Sequence, residues 1–370
     1  WNALITGYAE HGQGEEAIEC FEQMQQDGIS PDVVTLVCLL KSCTSIGAAD
    51  KGREIHADID NSGLTIDLAV GSALVDMYGK FGFLTKAQEI FDSILSQNKV
   101  SWNALITGYT KHGAAQEALN CFEKMQHDNV PPDLVTFVSC LKACSQLGAS
   151  EKGQELHGAI TSEGLEKDVF IGSALIDMYC NCGILSRAQE VFDNLVIRDS
   201  VTWNALLAGY AQLGETEKVC NILNGMLEEG LRPSMVTFVS VLNACSHAGL
   251  VDEGNMYLVK LSENYGMLPS LEHHNCVVDL LGRAGQLEDA YTFIQKLPPQ
   301  ASAPSWMSLL SSCRMYGNVD IAEVAAERIH QLEPQNAAPF RLLHDIYASP
   351  WQMSDFVDIL HVNNECMQTE

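Results

Sequence analysis

Apolar residues recur along this chain with the period of an α-helix. Trp102, Leu105, Ile106 and Tyr109 fall at i, i+3, i+4 and i+7 and make one stripe. Ala118, Phe122 and Met125 make a second stripe, with Glu117 and Lys124 off it. Gly113 after His112 stops the first predicted helix, and Pro131-Pro132-Asp133 cannot continue the second. The pattern of helix, turn, helix, turn then starts again. Residues 99–133, 134–168 and 169–199 are three such pairs, of 35, 35 and 31 residues.

The set of three pairs is itself repeated. Trp1, Trp102 and Trp203 each open the word Trp-Asn-Ala-Leu at a spacing of 101 residues, and Cys43, Cys144, Cys245 and Pro31, Pro132, Pro233 keep that spacing. A fixed period of this kind marks a stacked array, in which each repeat buries its apolar face only against its neighbours. Triplets span 1–98, 99–199 and 200–302, giving nine helix pairs and an array over 1–302. Residues 303–370 add a tenth, related repeat with Ser305-Trp306, Arg314 and Leu332-Glu333-Pro334; beyond Pro334 the pattern decays, though 337–347 still reads as helical. The expected fold class is all-α, an α-solenoid. The residues that precede Trp102 and Trp203 have no counterpart before Trp1, so the chain reads as a piece of a longer array, with any transit peptide outside it.

Composition changes the picture in three ways. An apolar content of 46% suffices for a long core, while no apolar run approaches the length of a membrane helix, so no membrane partner is expected. Of thirteen cysteines, most recur at equivalent positions beside apolar runs (Cys43, Cys144, Cys245; Cys20, Cys121, Cys220), which reads as small buried hydrophobes in a reducing compartment. No Cys-x-x-Cys occurs, and Cys180-Asn181-Cys182 lacks zinc spacing, so no metal or other cofactor is expected. The net charge of −27 argues against strong non-specific phosphate binding, and against DNA as a partner, but leaves room for a locally neutral or basic groove.

The strings 100–109 (Val-Ser-Trp-Asn-Ala-Leu-Ile-Thr-Gly-Tyr), 118–125 (Ala-Leu-Asn-Cys-Phe-Glu-Lys-Met) and 131–137 (Pro-Pro-Asp-Leu-Val-Thr-Phe) resemble pentatricopeptide repeats. The 35/35/31 alternation resembles the plant P-L-S subclass. Residues 173–179 and 188–193 are similar to its short S repeat, and Gly153-Gln154-Glu155-Leu156-His157 to its L repeat. Residues 303–347 resemble the E-type extension that follows such arrays, degenerate and shortened at its end. The resemblance implies a right-handed α-solenoid superhelix that reads single-stranded RNA, one base per repeat, through polar side chains of the first helix and of the repeat's end.

Carried over position by position, Asn2 with Asp32, and Asn103 with Asp133, resemble uracil readers. Ser72 with Asn98 resembles an adenine reader, Ser173 with Asp199 a guanine reader, and Asn204 with Ser234 a cytosine reader; Asn275 with Ser302 is similar to the last. Val37, Val138 and Val239 occupy the reading position of the L repeats and cannot hydrogen-bond a base. The implied order from the 5′ end is U, x, A, U, x, G, C, x, C/U, where x is unread. Val100 and Val201 stand where the family wedges bases between apolar side chains. Lys80, Lys111 and Arg283 match its phosphate contacts, whereas Glu10, Gln146, Asn181, Gln212 and His247 do not. Each assignment has a plainer reading: Asn and Ser as helix-start or solvent-facing polar residues, Asp as turn chemistry, Lys as a charge complementing a helix C-terminus.

The resemblance also implies a role. Relatives often end in a cytidine-deaminase-like domain, which needs a His-x-Glu and a Cys-x-x-Cys around zinc; this chain has neither, nor a Gly-rich phosphate loop or a Gly-x-Ser-x-Gly, so no catalysis of its own is expected. Adjacent His273 and His274 point about 100° apart on a helix and read as surface or repeat-packing residues, not metal ligands. The expected function is a specificity factor for C-to-U editing of organellar RNA that recruits a deaminase-bearing or other editing-factor protein in trans, in the mitochondrion or else the plastid. A protein-binding scaffold, or an RNA stability or splicing factor, is the alternative.

Overall fold

A computed structural model describes residues 1–61, 67–297 and 303–348. The described residues form twenty-one α-helices and no β-strand. The first triplet is α1 (Asn2–Glu10), α2 (Gly14–Gln26), α3 (Val33–Ile46), α4 (Ala49–Asn61), α5 (Leu68–Lys80) and α6 (Leu84–Ser93). The second is α7 (Lys99–Lys111), α8 (Ala115–His127), α9 (Leu134–Leu147), α10 (Ser150–Ser162), α11 (Val169–Asn181) and α12 (Leu185–Asn194). The third is α13 (Ser200–Gln212), α14 (Thr216–Glu228), α15 (Met235–Ala248), α16 (Val251–Glu263), α17 (Leu271–Arg283) and α18 (Leu287–Lys296). Then come α19 (Ala303–Tyr316), α20 (Val319–Leu332) and α21 (Ala338–Tyr347). The helix pairs fall where the periodicity puts them, and α21 is the helix read over 337–347.

The chain divides into two compact bodies, Trp1–Val196 and the part from Ile197 onward. In the first body, α1, α3, α5, α7, α9 and α11 pack side by side in sequence, and each second helix lies against its own first helix. In the second body, α13, α15, α17 and α19 make the same row. Each first helix is therefore buried on two flanks, which is why it carries a wide apolar stripe: Trp102, Leu105 and Ile106 are buried, as are Trp203, Leu206 and Leu207. The second helices have narrower stripes, such as Ala118, Phe122 and Met125. The ring of Trp102 meets Phe91 edge-on at 4.5 Å between centroids and so ties α7 to α6.

Local chemistry explains the joints. Gly113, at φ +76°, lies just past the C-cap of α7, the left-handed position a side chain resists. Asn129 takes the same conformation, φ +55°, where Gly28 and Gly230 stand in the other copies; asparagine is among the few side chains that tolerate it. α5 and α7 approach so closely that a β-carbon on Gly108 would lie 2.9 Å from the Gly79 α-carbon. The cysteines are free thiols among the described residues. Cys43, Cys144 and Cys245 are fully buried, whereas Cys20, Cys38, Cys182 and Cys220 are only partly covered.

Candidate nucleic-acid interface

From α3 to α15 the residue before each first helix caps it. Side-chain oxygens accept backbone N–H bonds as follows: Asp32 from Thr35 at 2.8 Å, Asn98 from Ser101 at 3.0 Å, Asp133 from Thr136 at 3.1 Å, Asp199 from Thr202 at 2.8 Å and Ser234 from Thr237 at 3.4 Å. These residues satisfy donors that a helix start otherwise leaves open. The plainer reading of the repeat-end residues is thus correct, and it is not the whole of what they do.

Three of these end residues, Asp32, Asp133 and Ser234, reach back to the first helix of their own repeat. Asn103 Nδ2 donates to Asp133 Oδ1 at 2.9 Å, and Asn103 Oδ1 accepts from the Thr136 hydroxyl at 2.6 Å. Asn2 Nδ2 donates to Asp32, and Asn2 Oδ1 accepts from Thr35 Oγ1 at 2.6 Å. In the second body Asn204 Nδ2 donates to Ser234 Oγ at 3.4 Å, and Asn204 Oδ1 accepts from Thr237 Oγ1 at 2.7 Å. Three of the predicted pairs are therefore built as pairs, across a sequence separation of 30 residues. Partial burial pushes the Asp133 carboxyl up, but the Thr136 N–H, the Asn103 amide and the Thr136 hydroxyl outweigh it and hold it below the usual carboxylate range. The Thr35 N–H does the same for Asp32, against slight burial and with help from the Thr35 hydroxyl and the Asn2 amide. Both carboxylates are ionised at neutral pH and act only as acceptors.

The other predicted pairs differ. Ser72 is buried and its hydroxyl donates to the Leu68 carbonyl at 2.7 Å, one turn back on its own helix, not to Asn98. Ser173 lies on α11 in the first body, while Asp199 caps α13 in the second. Asn275 accepts from Ser305 Oγ; its predicted partner Ser302 lies outside the described residues. A groove of about 740 Å³ on the first body gathers Val37, Ser72, Lys80, Asn98, Val100 and Asn103. The predicted reading positions of three consecutive repeats, Val37, Ser72 and Asn103, thus face one space. Val138 and Val239 sit at the corresponding half-buried sites of α9 and α15.

Val100 and Val201 are 61% and 60% exposed, which no packing stripe explains. Val34, Val135, Phe170 and Val236 are exposed at the same place, the second residue of a first helix, and sequence reasoning did not single them out. Their signal was available: an apolar residue recurring at one register, off the buried stripe. The predicted phosphate contacts are already engaged. Lys80 pairs with Asp76 at 2.8 Å and Arg283 with Asp279 at 2.7 Å, each one turn back, and Lys111 Nζ donates to the Lys80 carbonyl at 3.3 Å. Among the described residues no cluster of His, Cys, Asp or Glu could hold a metal ion. No described helix is long and apolar enough to cross a membrane.

Stacked helix pairs with recurring polar side chains along one edge define an α-helical repeat protein. A profile of the PPR repeat family matches residues 1–45, 97–146 and 198–247, and a profile of the PPR repeat matches 72–98, 173–199 and 236–264. These matches cover more than half of the chain, which belongs to the pentatricopeptide repeat family. Among similar proteins is the chloroplastic pentatricopeptide repeat-containing protein CRR2 of Arabidopsis thaliana, 41% identical over 363 residues, covering 96% of this chain and 55% of that one. A mitochondrial pentatricopeptide repeat-containing protein of the same plant is 34% identical, covering 95% of this chain and 56% of that one. The chain spans about half the length of these relatives. Among solved structures, PPR10 in complex with an 18-nucleotide psaJ RNA element is similar with a TM-score of 0.71 at 18% identity, over 94% of this chain and 57% of that one. That likeness shows the fold.

Proposed function

We infer that the chain binds single-stranded RNA in a plant organelle and reads it through successive repeats. The observation that carries this reading is the Asn–Asp and Asn–Ser pair, hydrogen-bonded within a repeat at a fixed register. Each pair leaves donors and acceptors free beside an exposed apolar residue such as Val100 or Val201, so a base edge has polar partners and its face has an apolar wall. The RNA complex of PPR10 and the chloroplastic and mitochondrial names of the relatives support the same reading. The base order U-x-A-U-x-G-C-x-C is its specific form, with Asn2/Asp32, Ser72/Asn98, Asn103/Asp133, Ser173/Asp199, Asn204/Ser234 and Asn275/Ser302 as readers. In that form the triplets are P-L-S repeats, and residues 303–370 are the E-type tail that recruits a deaminase-bearing partner in trans for C-to-U editing.

One observation favours a second reading, a protein-binding scaffold. The chain carries a net charge of −27, and Lys80 and Arg283 are neutralised by Asp76 and Asp279. Fluorescence anisotropy separates the two. An RNA containing U-x-A-U-x-G-C-x-C is compared at two salt concentrations with one in which A and G are exchanged. RNA reading predicts at least a tenfold preference for the first, maintained in both salts, since base contacts specify and phosphate contacts carry the salt dependence. Equal binding that salt abolishes would leave the scaffold.

A further inference from the structure

Wherever the reading residue is asparagine, the third residue of the next first helix carries a hydroxyl, although Thr202 also follows the serine reader Ser173 in sequence. Where the reader is Asn2, Asn103, Asn204 or Asn275, the third residue of the next first helix is Thr35, Thr136, Thr237 or Ser305. In the first body, where the reader is Val37 or Val138, it is Val70 or Ile171. In the second body Val239 is followed by His273, whose ring is engaged elsewhere: Nδ1 with Ser270 at 2.7 Å and Nε2 with the Met235 carbonyl at 3.0 Å. Ser101 follows the reader Ser72, and its hydroxyl bonds only the Asn98 backbone.

The hydroxyl has a definite part in the geometry. Thr136 Oγ1 accepts from the Asp133 N–H at 3.1 Å, which leaves its single proton to give. The nearer acceptor is Asn103 Oδ1 at 2.6 Å, against 3.1 Å to Asp133 Oδ1. The carboxylate of Asp133 can only accept, so it takes the Asn103 Nδ2–H. One side of the amide must be nitrogen and the other must be oxygen. The flip about the Asn103 Cβ–Cγ bond, otherwise open to a half-exposed asparagine, is closed. The same hydroxyl-to-Oδ1 bond recurs from Thr35 to Asn2 and from Thr237 to Asn204, the end residue beside Asn2 being again a carboxylate and that beside Asn204 the Ser234 hydroxyl.

We propose that Thr35, Thr136 and Thr237, with Ser305, are positioning residues that fix which way the preceding repeat's asparagine amide faces, and thereby fix the hydrogen-bonding edge the asparagine offers to a base. This deepens the RNA-reading proposal and rests on it. The end residue alone does not set the letter; an asparagine whose Oδ1 is unpinned offers donor or acceptor alternately and discriminates less.

The test uses the whole chain with Thr136→Val, Thr136→Ser and Ser101→Ala. Ser101→Ala removes a capping hydroxyl of the same kind, buried in the same body, that touches no asparagine reader. Affinities are measured for four RNAs that differ only in the base facing Asn103, at a temperature where circular dichroism shows every variant folded. Thr136→Val is expected to lose roughly fivefold to tenfold of the discrimination among the four bases, the value of one hydrogen bond. Thr136→Ser and Ser101→Ala should keep wild-type discrimination. A second readout needs no RNA: with asparagine-selective 15N labelling, the Asn103 NH2 pair, identified by its loss in Asn103→Ala, should move in Thr136→Val towards the shifts and exchange rates of an exposed amide. Unchanged NH2 resonances, or equal losses of discrimination in Thr136→Val and Ser101→Ala, overturn the proposal. Wild-type protein indifferent to the facing base overturns the RNA reading instead, and the NMR comparison still decides whether the hydroxyl pins the amide.

Discussion

Two tryptophans at the same register show how finely one side chain is placed. Trp203 Nε1 donates to Glu229 Oε2 at 3.1 Å, and Arg198 holds the other oxygen of that carboxylate at 3.1 Å. One copy earlier, Gln97 and Asp128 stand in place of Arg198 and Glu229. The aspartate is one methylene shorter, and the buried Trp102 Nε1–H finds no acceptor among the described residues. An unsatisfied buried donor costs about 1–3 kcal/mol. Asp128→Glu is therefore expected to raise stability by about 1 kcal/mol, read as a higher urea midpoint at constant slope; an unchanged midpoint would mean the longer carboxylate stays in solvent.

Two element-scale features carry predictions. The first is the crossing of α5 and α7 at Gly79 and Gly108, where backbones touch. Gly108→Ala must part the two helices and should cost about 1–3 kcal/mol, despite alanine's better helix propensity. Gly7 stands at the same register of α1 with open space around it, so Gly7→Ala should be neutral or stabilising by up to about 1 kcal/mol. Thermal melts should fall for Gly108→Ala and not for Gly7→Ala, and a fall in both would refute the crossing argument.

The second feature is a histidine–tyrosine bond between consecutive helices, His56 to Tyr78 at 2.9 Å and His157 to Tyr179 at 2.8 Å. Burial pushes both histidines below the usual 6.5. The unfolded chain therefore binds the proton more readily than the folded one. The stability these sites contribute is present above about pH 6.5 and is lost as pH falls below it. Melting temperature should drop between pH 7.5 and 5, and the double variant His56→Gln/His157→Gln should show a shallower drop.

For the whole molecule, 48 acidic residues against 21 basic ones leave repulsion that a compact fold must withstand. Raising sodium chloride from about 20 to 300 mM screens it and should raise the melting temperature, while weakening any phosphate contact. A fall in melting temperature would instead assign the stability to local ion pairs such as Lys51 with Glu22.

The fold was legible at this scale because a repeated stripe, stop and cap leave little choice of helix boundaries. The reading edge was legible only in part. Asn103 and Asp133 could be matched through register, but the Thr136 hydroxyl that completes their network reads in sequence as one more capping residue, and its contact with Asn103 spans 33 residues. The hydroxyl of Ser72 turns back to Leu68 for a local reason, since serine in a helix can bond the carbonyl one turn behind. The neutralising partners Asp76 and Asp279 sit four residues before the basic residues they engage. That spacing was visible in the sequence, but family register alone does not call attention to it.

The double duty of the repeat-end residue has a consequence for how such a chain can change. Asp32, Asn98, Asp133, Asp199 and Ser234 each start a helix and, in three of these repeats, also hold a reading asparagine. Only a few residue types can start a helix well, so the vocabulary open to mutation at this site is drawn from the same short set. On the proposed reading, drift within that set would rewrite the message and keep the array standing, whereas drift outside it is felt first as a weaker fold. If these residues read bases as proposed, a lineage of such proteins could wander among targets by single substitutions, with folding itself acting as the proofreader of its spelling.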